Sequence, residues 1–154
     1  MQQVEELIRE YLKTNNVIQL ATCVDNKPWL CNVHFYADDD LNIYWRSTTE
    51  RRHSKEIAQN PNVAAVIKVH ENTPEENYII GMSVEGTAEL IAEATDHAVV
   101  DAYAAKHDKD SKAVIAMKDG TDTAKFYRIT PKSFVVFSTR DFEGNPRVEW
   151  RVGE

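Results

Sequence analysis

Cysteine is scarce in this chain, which has only Cys23 and Cys31 among its 154 residues. Two cysteines do not form the dense disulfide framework that supports many small secreted domains. The strand pairing argued below places these two side chains on opposite faces of a hairpin, which argues against a bond between them. We therefore expect both to be small buried residues rather than a disulfide.

Long apolar runs are also lacking. No run approaches the roughly 20 residues that a membrane-spanning helix needs. Residues 1–15 have the pattern of a helix rather than that of a charged and then apolar leader, so we expect no signal peptide. The net charge of −7 argues against broad electrostatic attraction to nucleic acid or to an anionic membrane. These absences predict a cytoplasmic protein without nucleic-acid or membrane partners.

The motifs of several enzyme classes are missing as well. The sequence has no nucleophile elbow, no Walker-type phosphate loop and no dinucleotide-binding glycine fingerprint. The candidate metal ligands show no closely spaced pairs of the kind found in zinc sites, so we expect no metal. These candidates are Cys23, Cys31, His34, His53 and His70.

Hydrophobic periodicity predicts one domain of mixed structure. The helical pattern covers residues 1–15, 50–59 and 92–107, and a further helical turn is possible at residues 113–117. The alternating pattern predicts three strands within residues 17–46 and single strands at 62–70, 78–91 and 125–139, whereas residues 140–154 are expected to be irregular. This order indicates an α+β fold with a mainly antiparallel sheet, which often closes into a barrel.

The strand pairing within residues 17–46 can be predicted from the residues themselves. A two-residue loop at residues 26–27 would pair Val24 with Trp29, and the next turn would set Ile43 beside Phe35. One face of the three strands is then apolar and forms the core. The opposite face is either exposed to water or part of a site, because it collects the polar residues Gln19, Asn32, His34, Asn42, Tyr44 and Arg46.

A basic, hydroxyl-rich segment leads from these strands into the second predicted helix. Its sequence is STTERRHSK, residues 47–55. Hydroxyl groups, guanidinium groups and the free N–H groups of a helix start are what a bound phosphate needs. An ordinary helix cap followed by a solvated basic turn has the same composition, so the segment alone leaves both interpretations open.

Three longer motifs occur in a fixed order along the chain. They are LATCVDNKPWLCNVHFY, then LNIYWRSTTERRHSKEIAQNPNVAAVI, then GMSVEGTAELI. This ordered set resembles the pyridoxamine 5′-phosphate oxidase-like, FMN-binding split-barrel family, and it is closer to the small general-stress-protein and nitroimidazole-resistance-like members than to the true oxidase. The resemblance implies a single domain over residues 1–154, a six-stranded split β-barrel, and a homodimer with FMN at its interface.

The resemblance also implies which residues bind the cofactor. The flavin phosphate would be held at Arg46, Ser47, Thr48, Arg51, Arg52, His53 and Lys55. The isoalloxazine ring would lie along the second strand at Asn32, Val33 and His34. Ser83 stands where many relatives carry a glutamine that reaches the flavin, and Trp150 in the tail either covers the flavin or closes the end of the barrel.

The family implies a flavin-dependent oxidoreductase that acts on a small molecule, with the redox step carried by the cofactor. The substrate-phosphate and C-terminal arginine motifs of the true oxidase have no clear match, so we do not expect pyridoxamine phosphate oxidation. One alternative is a non-catalytic flavin-binding or flavin-sensing protein. Another is a protein of the same fold that uses deazaflavin or haem. No catalytic side chain, substrate or electron donor is identified by the sequence.

Overall fold

The structure is a computed structural model that describes residues 2–68, 73–91 and 96–154, and these form seven strands and four helices. The strands are β1 (Val17–Val24), β2 (Lys27–Ala37), β3 (Ile43–Ser47), β4 (Asn62–Lys68), β5 (Ile80–Leu90), β6 (Lys125–Ser138) and β7 (Arg147–Arg151). The helices are α1 (Gln2–Thr14), α2 (Arg52–Gln59), α3 (His97–Lys106) and α4 (Ser111–Asp119). The predictions for residues 69–72 and 92–95, including the candidate ligand His70, lie outside the described residues.

The strands form a closed ring with one strand added outside it. Their order in the sheet is β3-β2-β1-β4-β5-β6-β7, and an additional pairing between β3 and β6 closes the ring of six. Strand β6 makes this possible because residues 125–129 pair with β3, whereas residues 133–137 pair with β7. All of these pairings are antiparallel, so the predicted α+β fold and six-stranded split barrel are confirmed.

The predicted register of the first hairpin is wrong by two residues. The turn consists of Asp25 and Asn26, whose φ angles are 53° and 59°. Val24 therefore pairs with Lys27 rather than with Trp29. Two consecutive residues with positive φ are typical of the tight hairpin turn whose twist matches that of the strands, and Asp and Asn tolerate this conformation better than most residues.

The second hairpin differs from its prediction by the same amount. Phe35 pairs with Trp45, and not with Ile43 as expected. A shift of two residues leaves every side chain on its predicted face, because side chains alternate with a period of two. The apolar face lines the interior of the ring, where the largest fully buried side chains include Ile18, Leu20, Phe35, Ile43, Trp45 and Phe134. Cys23 and Cys31 are unbonded and lie on opposite faces, but both are half-buried rather than buried.

Strands β5 and β6 approach closely at a break in their register. The register shifts between Glu85 and Gly86, and Gly86 lies opposite Pro131. A Cβ atom on Gly86 would lie only 2.3 Å from the carbonyl oxygen of Thr130, so a larger residue does not fit without a shift of the backbone. Glycine at position 86 therefore allows the two backbones to approach this closely.

The prediction of an irregular tail is wrong. Residues 147–151 form β7, which pairs with β6 and places Trp150 opposite Phe134. Trp150 is only 7% exposed and belongs to the core, and its ring centroid lies 6.1 Å from that of Phe134. Helix α4 is also longer than the turn predicted at residues 113–117. None of the helices in the described part of the chain has the length and apolarity to cross a membrane.

Candidate functional site

Helix α2 is attached to the ring by polar contacts. The Thr22 hydroxyl donates to Glu56 Oε1 at 2.9 Å, and Arg52 Nε donates to Glu56 Oε2 at 2.9 Å. At the other end of the helix, Asn60 Nδ2 donates to the carbonyl oxygen of Cys23 at 2.9 Å. The hydrogen bond from Arg52 is the main cause that lowers the pKa of Glu56. The contacts with Thr22 and Cys23 attach the helix to β1.

His53 lies buried between β2 and β3. Its Nε2 is 2.7 Å from Ser47 Oγ, and its Nδ1 is 3.4 Å from Cys31 Sγ. Burial lowers the pKa of His53 below its ordinary value, and the charge of Arg51 lowers it further. Burial also raises the pKa of the Cys31 thiol. Burial therefore favours the neutral form of His53, whose two ring nitrogens contact Ser47 and Cys31.

The first turn of α2 keeps hydrogen-bond donors that no described residue uses. Arg51 occupies the N-cap position, and its side chain makes no capping hydrogen bond. Among the described residues, Arg51 has no ion-pair partner, and the hydroxyls of Thr48 and Thr49 have no hydrogen-bond partner. Free N–H groups at a helix start favour an anion. The donor set of guanidinium, hydroxyl and backbone N–H groups fits a phosphate group.

Arg46, by contrast, already has a partner. Its Nη2 lies 2.8 Å from Asp122 Oδ2 and donates to the carbonyl oxygen of Ala124 at 3.1 Å. The guanidinium also lies 5.2 Å from the ring centroid of Phe126. Its Nε is buried and has no hydrogen-bond partner among the described residues. A phosphate would have to compete with Asp122 for this side chain.

The two other basic residues of the segment are also paired, although less completely. Besides its bond to Glu56, Arg52 lies over the ring of Trp29, with its Cζ 4.2 Å from the ring centroid. Lys55 Nζ is 3.1 Å from Glu50 Oε2, and both of these side chains are exposed. Exposed ion pairs contribute little and exchange partners readily, so Lys55 remains available to a ligand.

Helices α3 and α4 cover one half of the outer sheet face. There Tyr44 and Phe126, from β3 and β6, form a buried cluster with Val100 and Tyr103 of α3, and Met117 of α4 packs against it. The rings of Tyr103 and Phe126 meet edge to face with centroids 5.4 Å apart. The sequence placed Tyr44 and Arg46 on a polar face that is either exposed to water or part of a site. In the structure α3 and α4 cover this part of the face, which we call the covered half.

The other half of the same face, on β2, β1, β4 and β5, is covered by no described element. Two cross-strand rows define this open half. One row is Leu30, Ala21, Ala64 and Glu85, and the other is Asn32, Gln19, Val66 and Ser83. Leu30 is 60% exposed and Val66 is 40% exposed. Two predicted ring contacts, Asn32 and Ser83, thus lie in one row and are about 14 Å apart, since three strand spacings separate them.

The remaining predicted residues are placed differently. His34 is exposed on the same face, whereas Val33 is buried in the core and its side chain does not reach the open half. His34 meets a residue that the sequence did not indicate, because the ring centroid of His107 lies 5.2 Å away. His107 Nε2 donates to the carbonyl oxygen of Phe35 at 2.9 Å, and burial lowers the pKa of His107. No local motif could have found His107, since its contact with β2 depends on how α3 packs.

Trp150 was predicted either to cover a flavin or to close the barrel, and the structure buries it against Phe134. Within the described residues, no group of three or more histidine, cysteine, aspartate or glutamate side chains is arranged to hold a metal ion. Of the residues that the sequence predicted to contact a cofactor, the structure leaves exposed polar groups at the start of α2 and on the open half.

Comparison with known proteins gives a family and several structural relatives. The family model described as pyridoxamine 5′-phosphate oxidase matches residues 4–133. No curated protein matches the sequence. A heme binding protein from Mycobacterium smegmatis has a TM-score of 0.71 and 15% identity, over 94% of this chain and 56% of that chain.

Two further solved structures are similar over most of both chains. A FAD-binding protein from Mesorhizobium loti has a TM-score of 0.61 and 17% identity, over 84% of this chain and 90% of that chain. General Stress Protein 26 from Bacillus anthracis has a TM-score of 0.66 and 14% identity, over 97% of this chain and 98% of that chain. At these identities, the likeness to solved structures shows the fold alone.

Proposed function

The chain belongs to the pyridoxamine 5′-phosphate oxidase family, and we propose that it binds FMN and catalyses a flavin-dependent redox reaction on a small molecule. The observation that carries this proposal is the start of α2, where Arg51 and the hydroxyls of Thr48 and Thr49 have no partner among the described residues. An unpaired guanidinium beside free hydroxyl and N–H groups is suited to a phosphate monoester. When bound, FMN supplies hydride or single-electron transfer at its ring.

The chain's own residues would bind and orient the cofactor. Arg51, Thr48 and Thr49 would hold the phosphate, with Arg52 and Lys55 adding positive charge. The ring would be held on the open half by Asn32, His34 and Ser83, which are exposed polar side chains on one face. Ser47 and His53 would support this site indirectly, because their mutual hydrogen bond fixes the start of α2 against β3.

We propose that a second copy of the chain covers the rest of the open half. Of the eight side chains in its two cross-strand rows only Glu85 is charged, whereas 28% of the whole chain is charged. Depletion of charge and exposed aliphatic side chains such as Leu30 and Val66 are typical of an interface core. A homodimer formed there would also exclude water from a bound ring.

A haem-binding function is the second candidate. It is favoured by His34, an exposed imidazole on the open half, because histidine is a common axial ligand of haem iron. One structural relative is named as a heme binding protein, and another as a FAD-binding protein. The two candidate functions make different demands on the start of α2, since only a flavin mononucleotide brings a phosphate to it.

The test is a titration of the purified protein with FMN, riboflavin and haem, followed by flavin fluorescence and by the haem absorption spectrum. We expect FMN to bind much more tightly than riboflavin. Arg51→Ala should weaken FMN binding about 10- to 100-fold, as expected for the loss of charge-assisted hydrogen bonds, and leave riboflavin binding unchanged. Arg147→Ala, which removes an exposed arginine from β7, is the matched control and should have no effect.

Equal affinity for FMN and riboflavin would remove the phosphate site from the proposal. Binding of haem without binding of either flavin would replace the proposal by the haem candidate. If FMN binds, anaerobic reduction by NADH or NADPH and reoxidation by an added acceptor separate an enzyme from a flavin-binding protein. An enzyme turns over repeatedly, whereas a binding protein retains oxidised flavin.

A further inference from the structure

A cleft lies between α1, the turn from β2 to β3, and α3. Its volume is about 410 Å³, and its walls include Leu12, Tyr36, Leu41 and Lys106. This volume lies in the range of small-molecule pockets. None of the residues of the two open-half rows lines it, so the cleft is distinct from the proposed flavin site.

The amine of Lys106 lies in this cleft without a carboxylate partner among the described residues. Its Nζ is 4.1 Å from the ring centroid of Phe35 and donates a hydrogen bond to the carbonyl oxygen of Leu12 at 2.9 Å. Burial lowers the pKa of Lys106 to about 8. A large share of the molecules therefore carries a neutral amine there near pH 8, and a neutral lysine amine is a nucleophile.

The charged side chains around the amine do not select the charge of a ligand. Besides Lys106, the cleft is lined by two cations and two carboxylates, which are Arg9, Lys13, Asp38 and Asp39. Arg9 Nη2 is paired with Glu5 Oε1 at 2.7 Å, and the Asp38 carboxylate accepts hydrogen bonds from the Asn42 backbone at 2.9 Å and from the Tyr44 hydroxyl at 3.0 Å. Lys13 and Asp39 have no ion-pair partner among the described residues, so one charge of each sign remains available.

We propose that this cleft binds a small carbonyl compound, and that Lys106 Nζ forms an imine with its carbonyl carbon. The amine nitrogen attacks the carbonyl carbon, and a C–N bond forms while the carbonyl oxygen gains a proton. The nitrogen then loses its remaining proton as the C–O bond breaks, water leaves, and the C=N bond forms. The products are the imine and water, and no oxidant or reductant is needed.

A structural role for Lys106 predicts a different outcome. Its hydrogen bond to Leu12 satisfies one of the last carbonyl groups of α1, which a lysine without any ligand would also do. Arginine at this position keeps the positive charge and the hydrogen-bond donors but cannot form an imine. Lys106→Arg therefore separates the chemical role from the structural one.

The experiment incubates the full chain with glyoxylate, a small aldehyde with a carboxylate, and traps any imine with cyanoborohydride before peptide mass spectrometry. We expect Lys106 to be modified at least about tenfold faster than the exposed Lys109 and Lys112, because its neutral fraction is larger. Lys106→Arg should lose this modification and keep its unfolding midpoint. Lys13→Arg keeps both the charge and Lys106, and it should leave the modification in place.

Glycolaldehyde, an uncharged probe of similar size, tests whether the modification depends on the charge of the probe. It should also modify Lys106 faster than the exposed lysines, and Lys13→Met should not change the rate with either probe. Modification of Lys106 no faster than that of Lys109 would overturn the imine site and leave only the structural role.

Discussion

The two halves of the outer sheet face differ in what covers them. In the covered half, Tyr44 and Phe126 are buried under α3, and the charge of Arg46 is neutralised by Asp122. In the open half, Leu30 and Val66 remain exposed, and no described element packs on them. The same alternating strand pattern thus produces a second small core in one place and an unoccupied surface in the other.

Arg46 and Arg51 show how packing decides which basic residues are available to a ligand. Arg46 is on β3, and it forms an ion pair with Asp122 in the loop that follows α4. Arg51 lies only five positions later but precedes a helix, where no described carboxylate reaches it. A binding site therefore cannot be assigned from the basic residues alone. It depends on which of them the fold leaves without a partner.

The largest expected effect comes from breaking the covered half. Phe126→Ala should lower the free energy of unfolding by about 3–5 kcal/mol, because it removes a buried aromatic ring and leaves a cavity. Leu30→Ala, in the open half, should lower it by about 1 kcal/mol or less in the dissociated chain, since that side chain is mostly exposed. Urea denaturation at low protein concentration measures both. Equal losses would show that the two halves do not differ in packing.

A smaller effect is expected from placing a charge in the open half. Leu30→Glu should weaken self-association by about 2 kcal/mol, or roughly 30-fold, because a carboxylate would be buried between two copies without a partner. Ile115→Glu, at a side chain of α4 that is 61% exposed, is the matched control and should not change self-association. Sedimentation equilibrium measures the association constants. A wild-type chain that stays monomeric would contradict the role given to this surface.

The smallest effect is expected from acid. Burial lowers the pKa of both His53 and His107, so the unfolded chain, with histidine pKa values near 6.5, binds more protons as the pH falls below that value. Stability should therefore decrease between about pH 7 and pH 5, by about 1 kcal/mol or less per histidine. His107→Gln tests the covered half and His53→Gln tests the end of the barrel, and each should make unfolding free energy less dependent on pH in this range.

An unchanged pH dependence in either variant would show that the corresponding histidine is not buried as neutral imidazole. The carboxylates with lowered pKa values, such as Glu56 and Asp122, titrate below this range and so interfere little. The comparison between the two variants then shows whether the covered half or the surroundings of His53 are more sensitive to protonation.

The sequence predicted which face each strand residue occupies, but not the pairing along the strands. Phe35 and Ile43 were correctly assigned to the core, yet both hairpin registers are displaced by two residues. A two-residue displacement conserves the alternation of apolar and polar side chains, so the hydrophobic pattern could not distinguish the alternatives. The turn residues Asp25 and Asn26 held the deciding information, because both have to adopt positive φ.

Long-range packing explains the other differences. Arg46 and Asp122 are 76 positions apart, and nothing near either residue in the sequence indicates their ion pair. Strand β7 was missed because Val148 and Trp150 are the only apolar residues among charged neighbours, a pattern too short to predict a strand. The sequence could propose Arg51 as a candidate for phosphate binding. Only the structure shows that no described residue forms an ion pair with it.

The closure of the ring by β6 has a consequence for how the chain folds during its synthesis. Strand β3 ends at Ser47, but its partner on β6 begins at Lys125, so the ring cannot close until most of the polypeptide has left the ribosome. Until then β3 and β5 each have an edge that lacks its partner on β6, and such edges can pair with other chains. Because pairing over such long sequence separations is slow, the nascent chain passes through a period in which translation rate and chaperone access decide between folding and aggregation.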